Sequence, residues 1–223
     1  MESRIIRYSV VVPVFNSRGT LRHLVDRITE VLCERGESFE IILVDGSGAA
    51  IDDIARESKF VRPITLPQNV GQHQATLEGL GVSRGECVIT LDDDSQHPPE
   101  EMTKLISKIE QGYLVAIARF AQSGHSPVKR LLSSIKRFIE HRVYRTPRNL
   151  FISGFKAIEG GVARQLASNA GPNPYLPAEI YRQVPFERIV NADVRHDPTK
   201  VGRSRYGVWK SFELLCRILR ESR

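Results

Sequence analysis

Three adjacent carboxylates, Asp92, Asp93 and Asp94, follow an apolar run, Cys87–Leu91, and lead into Ser95-Gln96-His97-Pro98-Pro99. Carboxylates side by side repel one another, and a hard divalent cation with oxygen ligands offsets that repulsion. On an extended chain alternate side chains share a side, which groups Asp92, Asp94 and Gln96 as candidate metal ligands. Pro98 and Pro99 open a helical pattern over Pro99–Gln111, with Glu100 and Glu101 in its first turn, both favourable start signals. The acids therefore stand at the C-terminal end of a strand, where open α/β sheets bind ligands. A solvated acidic turn capping the helix accounts for the same spacing, so the motif alone leaves both readings open.

The elements that must position these acids alternate between strand and helix. Tyr8–Val14 is a continuous β-branched run of a buried strand, closed by Pro13-Val14-Phe15-Asn16. Leu21–Arg35 places Leu21, Leu24, Ile28, Val31 and Leu32 on one helical face. Strands are expected at Phe39–Val44, Val61–Leu66, Gly85–Leu91 and Tyr113–Ala118, with helices at Asp52–Glu57 and Gly71–Val82. This alternation predicts a parallel sheet covered by helices on both faces. Its C-terminal strand ends would gather Pro13–Asn16, Asp45, Asn69 and Asp92–Gln96 around a nucleotide. Beyond Phe120 the texture changes. Lys129–Tyr144 reads as a basic helix, Phe151–Ile158 as a strand, Gly161–Ala167 as a helix and Phe186–Val194 as a late strand. Ala170–Pro177 is rich in Pro and Gly, Val201–Tyr206 is a basic loop, and Val208–Arg220 is a final amphipathic helix.

Charge follows the same division. Residues 1–118 carry 12 Lys/Arg against 18 Asp/Glu, whereas residues 119–223 carry 20 against 8. The second half thus suits an anionic partner: phosphate, nucleic acid or a membrane surface. For any single arginine a solvated face is the plainer account. A hydrophobic content of 41% and a charged content of 26% fit a soluble globular protein of 223 residues with one sizeable core. Cys33, Cys87 and Cys216 are odd in number and far apart, forming neither a disulfide framework nor a metal cluster. No apolar run approaches the ~20 residues needed to span a bilayer, and Met1–Tyr8 has no signal-peptide stretch. A cytoplasmic location, peripheral to the membrane at most, is expected. Aromatic residues make up only 7%, little material for base stacking, so nucleic acid is not an expected partner.

Several segments in order carry a resemblance: Val11-Val12-Pro13-Val14-Phe15-Asn16, Leu43-Val44-Asp45, Asn69-Val70-Gly71-Gln72-His73 and Thr90–Glu100, then Ser153-Gly154-Phe155 and Gly202–Tyr206. The chain resembles glycosyltransferase family 2 enzymes of the GT-A fold. Among these it is similar to the polyprenyl-phosphate (dolichol- and undecaprenyl-phosphate) glycosyltransferases. The resemblance covers about Ser9 to Leu219. It implies an α/β fold with a GT-A, Rossmann-like, mostly parallel sheet flanked by helices and a basic acceptor-side C-terminal part. One domain is expected, with a nucleotide-sugar half (1–118) and an acceptor half (119–223).

The same resemblance implies residue roles. Asp92, Asp94 and Gln96 would hold Mg²⁺ or Mn²⁺ against the diphosphate of a UDP- or GDP-sugar, with Asp93 supporting them. Pro13, Phe15, Asn16, Asp45 and Gln72 would line the nucleotide site. Arg119 would stand near donor sugar and acceptor phosphate. Arg130 and Ser134, at i and i+4, would hold the polyprenyl phosphate. Ser204, Arg205 and Tyr206 would close over the diphosphate. Two positions depart from the family's pattern: Ser17 where Glu is usual, and Gly46 where a second acid usually follows Asp45. His73, His97 and His125 lack metal-ligand spacing and read as polar loop groups. Glu179 is the one carboxylate between Pro172 and Gln183, and it lacks the Glu-Asp setting of relatives that use a base on a hydroxyl acceptor. The expected function is metal-dependent, inverting sugar transfer to a polyprenyl phosphate. Transfer to a soluble hydroxyl or amine acceptor, or a non-enzymatic basic binding module, are the alternatives. The apolar stripe of the last helix (Val208, Phe212, Leu215, Cys216, Leu219), flanked by Lys210, Arg217, Arg220 and Arg223, suits anionic membrane, a membrane partner subunit or the protein's own core.

Overall fold

A computed structural model describes residues 5–15, 19–46, 51–94, 96–120, 142, 146–147, 150–172 and 174–195. The strands are β1 (Tyr8–Val14), β2 (Phe39–Asp45), β3 (Val61–Thr65), β4 (Cys87–Thr90), β5 (Val115–Phe120), β6 (Lys156–Glu159) and β7 (Ile189–Val194). The helices are α1 (Leu21–Glu34), α2 (Ile51–Glu57), α3 (Gln72–Val82), α4 (Met102–Glu110), α5 (Gly160–Ser168) and α6 (Leu176–Gln183). All seven strands form one sheet in the order β3-β2-β1-β4-β6-β5-β7. β1 pairs in parallel with β2 and β4, as do β2 with β3 and β5 with β7. β6 runs antiparallel between β4 and β5, so the sheet is mostly rather than wholly parallel.

Strand alternation splits the core into two layers. Val10, Val12 and Val14 of β1 face α1, α2 and α4, while Val11 faces α3, α5 and α6. The face of α1 expected from its periodicity is the buried one: Leu21, Leu24, Ile28 and Leu32 are at most 1% exposed. Burying each such side chain contributes about 1.5–3 kcal/mol before entropy. At the N-terminal edge of the sheet the buried Glu40 carboxylate accepts from Ser9 Oγ, the Arg84 backbone N–H and side chain, and Arg62. It ties β2 to β1 and to the turn before β4.

Several boundaries differ from expectation. Tyr113 and Leu114 precede β5, which runs on to Phe120. The strand expected at Phe151–Ile158 is confined to Lys156–Glu159, because Ser153 Oγ turns the chain by accepting the Phe155 N–H. Helix α6 begins inside the Pro/Gly-rich stretch: Pro177 lies in its first turn, where the missing N–H costs nothing. Phe186–Arg188 is a 3₁₀ turn, and Pro99–Glu101 is another that starts α4. The expected helices at Lys129–Tyr144 and Val208–Arg220 and the loop at Val201–Tyr206 lie outside the described residues, apart from Arg142.

Candidate active site

The C-terminal ends of β1, β4, β5 and β7 lie on one edge of the sheet. Thr90 pairs with Lys156, which pairs with Ile117. The ladder between β4, β6 and β5 ends there, so Thr90 and Ile117 are two strand spacings apart, about 10 Å. Two residues further along β5, Arg119 pairs with Asp193 of β7.

Gly154 leaves room for the Asp92 carboxylate. A Cβ there would stand 2.8 Å from Asp92 Oδ1, so any larger residue would displace the carboxylate. Gln72 Nε2 donates to the same oxygen at 2.5 Å, and Thr90 Oγ1 donates to the Gly154 carbonyl at 2.7 Å. The ammonium of Lys156, a side chain only 4% exposed, donates to that carbonyl at 3.2 Å. Burial pushes the Asp92 carboxyl above the usual aspartate range, against the opposing pull of Lys156 and the Gln72 amide. Asp92, Gln72 and Lys156 share a cavity of about 200 Å³ with Pro13, His73, Thr76, Ser153, Tyr175 and the start of α6. Its lining of hydroxyls, an amide, a carboxylate and an ammonium suits a polyhydroxylated ligand.

The three acids do not converge. Asp92 faces this cavity. Asp93 Oδ2 accepts the Phe15 N–H at 2.6 Å, and its carbonyl accepts from Thr20 Oγ1. Asp94 is exposed and accepts the Gln96 N–H at 3.0 Å. A turn at Asp93–Asp94 replaces the extended backbone on which alternation would put Asp92, Asp94 and Gln96 on one side. Among the described residues no group of three His, Cys, Asp or Glu side chains is placed to hold a metal ion. The donors are nevertheless all oxygens, the kind that Mg²⁺ and Mn²⁺ take.

Of the residues expected at the nucleotide, Pro13 is buried and Phe15 is 47% exposed just beyond β1. Asp45 is buried at the end of β2, and Gly46 follows it against the loop after β3. A Cβ on Gly46 would come within 2.8 Å of the Gln68 carbonyl, so the second acid that the resemblance leads one to expect has no room beside residues 68–69. Of those expected at the acceptor, Arg119 donates from Nε and Nη2 to Asp193 at 2.5 and 2.7 Å, and its guanidinium lies 5.7 Å from the centre of the Phe151 ring. Asn16, Arg130, Ser134, Ser204 and Arg205 lie outside the described residues, as do His125 and His196.

The sequence reading missed four contributors. His97, read as a polar loop group, does lie in the loop after β4, but it is buried there. Its ring stacks with Phe120 and Phe155, each 5.4 Å away, and Nδ1 accepts the Asp92 N–H at 3.2 Å. The signal was its place between Gln96 and Pro98-Pro99. Lys156 was signalled by a lysine inside the apolar run Phe155–Ile158. Tyr175, 1% exposed and edge-on to His73, and Asp193 gave no sequence signal.

Residues 9–165 match the profile of Glycosyl transferase family 2, and the chain belongs to that family. It is 29% identical over 213 residues to an undecaprenyl-phosphate 4-deoxy-4-formamido-L-arabinose transferase of Edwardsiella ictaluri, covering 93% of this chain and 65% of that protein. It is 23% identical over 222 residues to a dodecaprenyl-phosphate galacturonate synthase of Rhizobium johnstonii, covering 96% of this chain and 66% of that one. The chain thus spans about two thirds of the length of these relatives. A solved structure of glucosyl-3-phosphoglycerate synthase from Mycobacterium tuberculosis, in complex with Mn²⁺, UDP and glucosyl-3-phosphoglycerate, superposes with a TM-score of 0.72. That match has 17% identity and covers 97% of this chain and 80% of that one. It establishes the GT-A-like arrangement of sheet and helices.

Proposed function

We propose that this chain is a metal-dependent, inverting glycosyltransferase that moves a sugar from a nucleotide-diphosphate donor to a polyprenyl phosphate. The observation that supports the reading is the Asp92 carboxylate, held by Gln72 at a polar cavity on the C-terminal edge of the sheet. Asp92 would serve the donor and Arg119, near the end of β5, the acceptor, while Gly154 leaves room for the Asp92 carboxylate. Phe15 and Asp45 would receive the nucleoside, and the cavity below Asp92 would receive the sugar. Asp94, with Asp92 and Gln96, would hold Mg²⁺ or Mn²⁺, which neutralises charge on the departing diphosphate. The Mn²⁺ and UDP held by the solved neighbour make UDP-sugars the first donors to test.

A phosphate monoester is mostly a dianion at pH 7, its second pKa being about 6. It attacks without a general base, so the protein's task is alignment and charge placement. The environment of Glu179 supports this acceptor. Its side chain is 9% exposed and accepts from Arg182 at 3.0 Å, tied within its own helix rather than left to serve a hydroxyl. Arg119, Arg130 and Ser134 would orient the phosphate. Lys129–Tyr144 and Val208–Arg223 would supply peripheral, salt-sensitive contact with anionic membrane, each surface Lys or Arg adding about 1 kcal/mol. Among the described residues no helix is long and apolar enough to cross a membrane.

The test is a screen of sugar nucleotides with polyprenyl phosphate, with Mn²⁺, with Mg²⁺ and with EDTA. Transfer that needs the metal and falls at least ~100-fold in Asp94→Ala is expected, the scale of losing a principal electrostatic stabiliser. Full activity in EDTA, or in Asp94→Ala, would sink the metal-dependent mechanism.

A further inference from the structure

Arg119 and Asp193 face each other in register on β5 and β7. A guanidinium has two edges able to present paired N–H groups: Nε with one Nη, and the two Nη together. Asp193 takes the first edge, accepting from Nε at 2.5 Å and from Nη2 at 2.7 Å. The face of the group lies against Phe151. Among the described residues the second edge makes no hydrogen bond. Both partners sit on paired strands, so the orientation is set by the sheet rather than by a loop. Asp193 is 71% exposed, and an exposed pair of this kind contributes little stability. What the bidentate geometry does fix is direction.

We propose that Asp193 is a positioning residue: by closing one edge of Arg119 it aims the other at the phosphate monoester of the acceptor. This rests on the reading of Arg119 as the acceptor-side cation. Arg is suited to such double use because its fork is rigid and permanently charged. A lysine could not hold one partner and present a second, aligned pair of donors. Asp193 therefore acts on the acceptor through Arg119 and touches neither donor nor metal ligands.

The experiment uses the full chain and the variants Asp193→Ala, Asp193→Asn, Asp193→Glu, Arg119→Ala and the double Arg119→Ala/Asp193→Ala. Binding of farnesyl monophosphate is measured calorimetrically without donor, and transfer kinetics are measured with polyprenyl phosphate. Asp193→Ala and Asp193→Asn should weaken farnesyl phosphate binding and raise the acceptor KM about three- to thirtyfold, the range of coupled neighbours. Donor nucleotide affinity should stay within about twofold, as for independent sites. Asp193→Glu should recover part of the loss. Adding Asp193→Ala to Arg119→Ala should do no further harm. Unchanged or tighter farnesyl phosphate binding in Asp193→Asn overturns the proposal, since the carboxylate would then be idle or a competitor. Equal loss of donor affinity overturns it too, as does a wild-type chain that binds no farnesyl phosphate. A wild type that binds it through Asp193 and Arg119 but transfers no sugar overturns the proposed reaction alone.

Discussion

His97 Nδ1 accepts the backbone N–H of Asp92 at 3.2 Å, while the imidazole stacks with Phe120 and Phe155. An imidazole that accepts through Nδ1 is neutral and carries its proton on Nε2. That nitrogen lies 3.9 Å from Asp92 Oδ2, so one ring faces both ends of the residue at the centre of the site.

His97→Ala should therefore act on both stability and function. It leaves the Asp92 amide without its acceptor, which costs about 1–3 kcal/mol in a buried setting. Thermal unfolding should fall by several degrees, and donor affinity should weaken because the Asp92 turn loosens. Wild-type donor affinity in a folded His97→Ala protein would show that the turn is held by other contacts.

Gly154→Ala probes the room beside Asp92. The added Cβ would meet Asp92 Oδ1 and force the carboxylate out of the cavity. Donor binding should drop at least tenfold, equivalent to about 1.4 kcal/mol, with the fold retained. Gly171→Ala, whose Cβ would meet nothing within 4 Å, is the control. Calorimetric titration with UDP and Mn²⁺ distinguishes them, and equal affinities would remove Gly154 from the site.

Glu40 gives a pH dependence without touching the site. Burial raises its carboxyl pKa, but hydrogen bonds from Arg84 and Ser9 outweigh this and hold it below the ordinary 4.5. A depressed folded-state pKa means that the stabilisation is complete above the unfolded value and is lost as pH falls through the folded one. Wild type should thus lose an increment of stability below pH about 4.5 that Glu40→Gln has already lost at pH 7. Denaturant midpoints at pH 7 and pH 3.5 measure it. A Glu40→Gln protein as stable as wild type at pH 7 would contradict the ion cluster's role.

The cysteines should differ in reactivity. Cys33 is exposed, whereas Cys87 is buried in β4 with its thiol pKa pushed to about 12, chiefly by burial. Thiolate is the reactive form. Iodoacetamide at pH 8 should label Cys33 in the native protein and Cys87 only after unfolding, as peptide mass mapping would show. Rapid native labelling of Cys87 would mean that β4 opens readily.

The parallel half of the sheet was legible because its strands are continuous β-branched runs and α1 repeats its apolar residues with helical period. Helix α6 was not, because Pro174 and Pro177 read as loop signals although Pro177 serves as a helix start. The place of the three acids just after β4 was legible, but their mutual arrangement was not. Alternation assumes extended backbone, and the hydrogen bonds from Phe15 to Asp93 and from Gln96 to Asp94 fold it into a turn. Both bonds are choices between a polar side chain and nearby amides, which periodicity does not record. Asp193 was invisible for a different reason: its partner is 74 residues away, and only strand order brings them together.

The antiparallel strand β6 has a consequence for how the chain is made. β4 and β5 are synthesised first, yet they do not pair with each other; β6 must enter between them. Until Lys156–Glu159 leaves the ribosome, the growing sheet ends at β4 with a row of open backbone groups, the state most prone to wrong pairing. The emerging N-terminal half is thus an unfinished object that borrows its closing strand, and Gly154 with it, from the C-terminal half. A fragment ending at Ala118 should accumulate as aggregate, and a soluble, folded fragment of that length would show otherwise. Nascent chains would complete the cavity beside Asp92 only after β6 had formed.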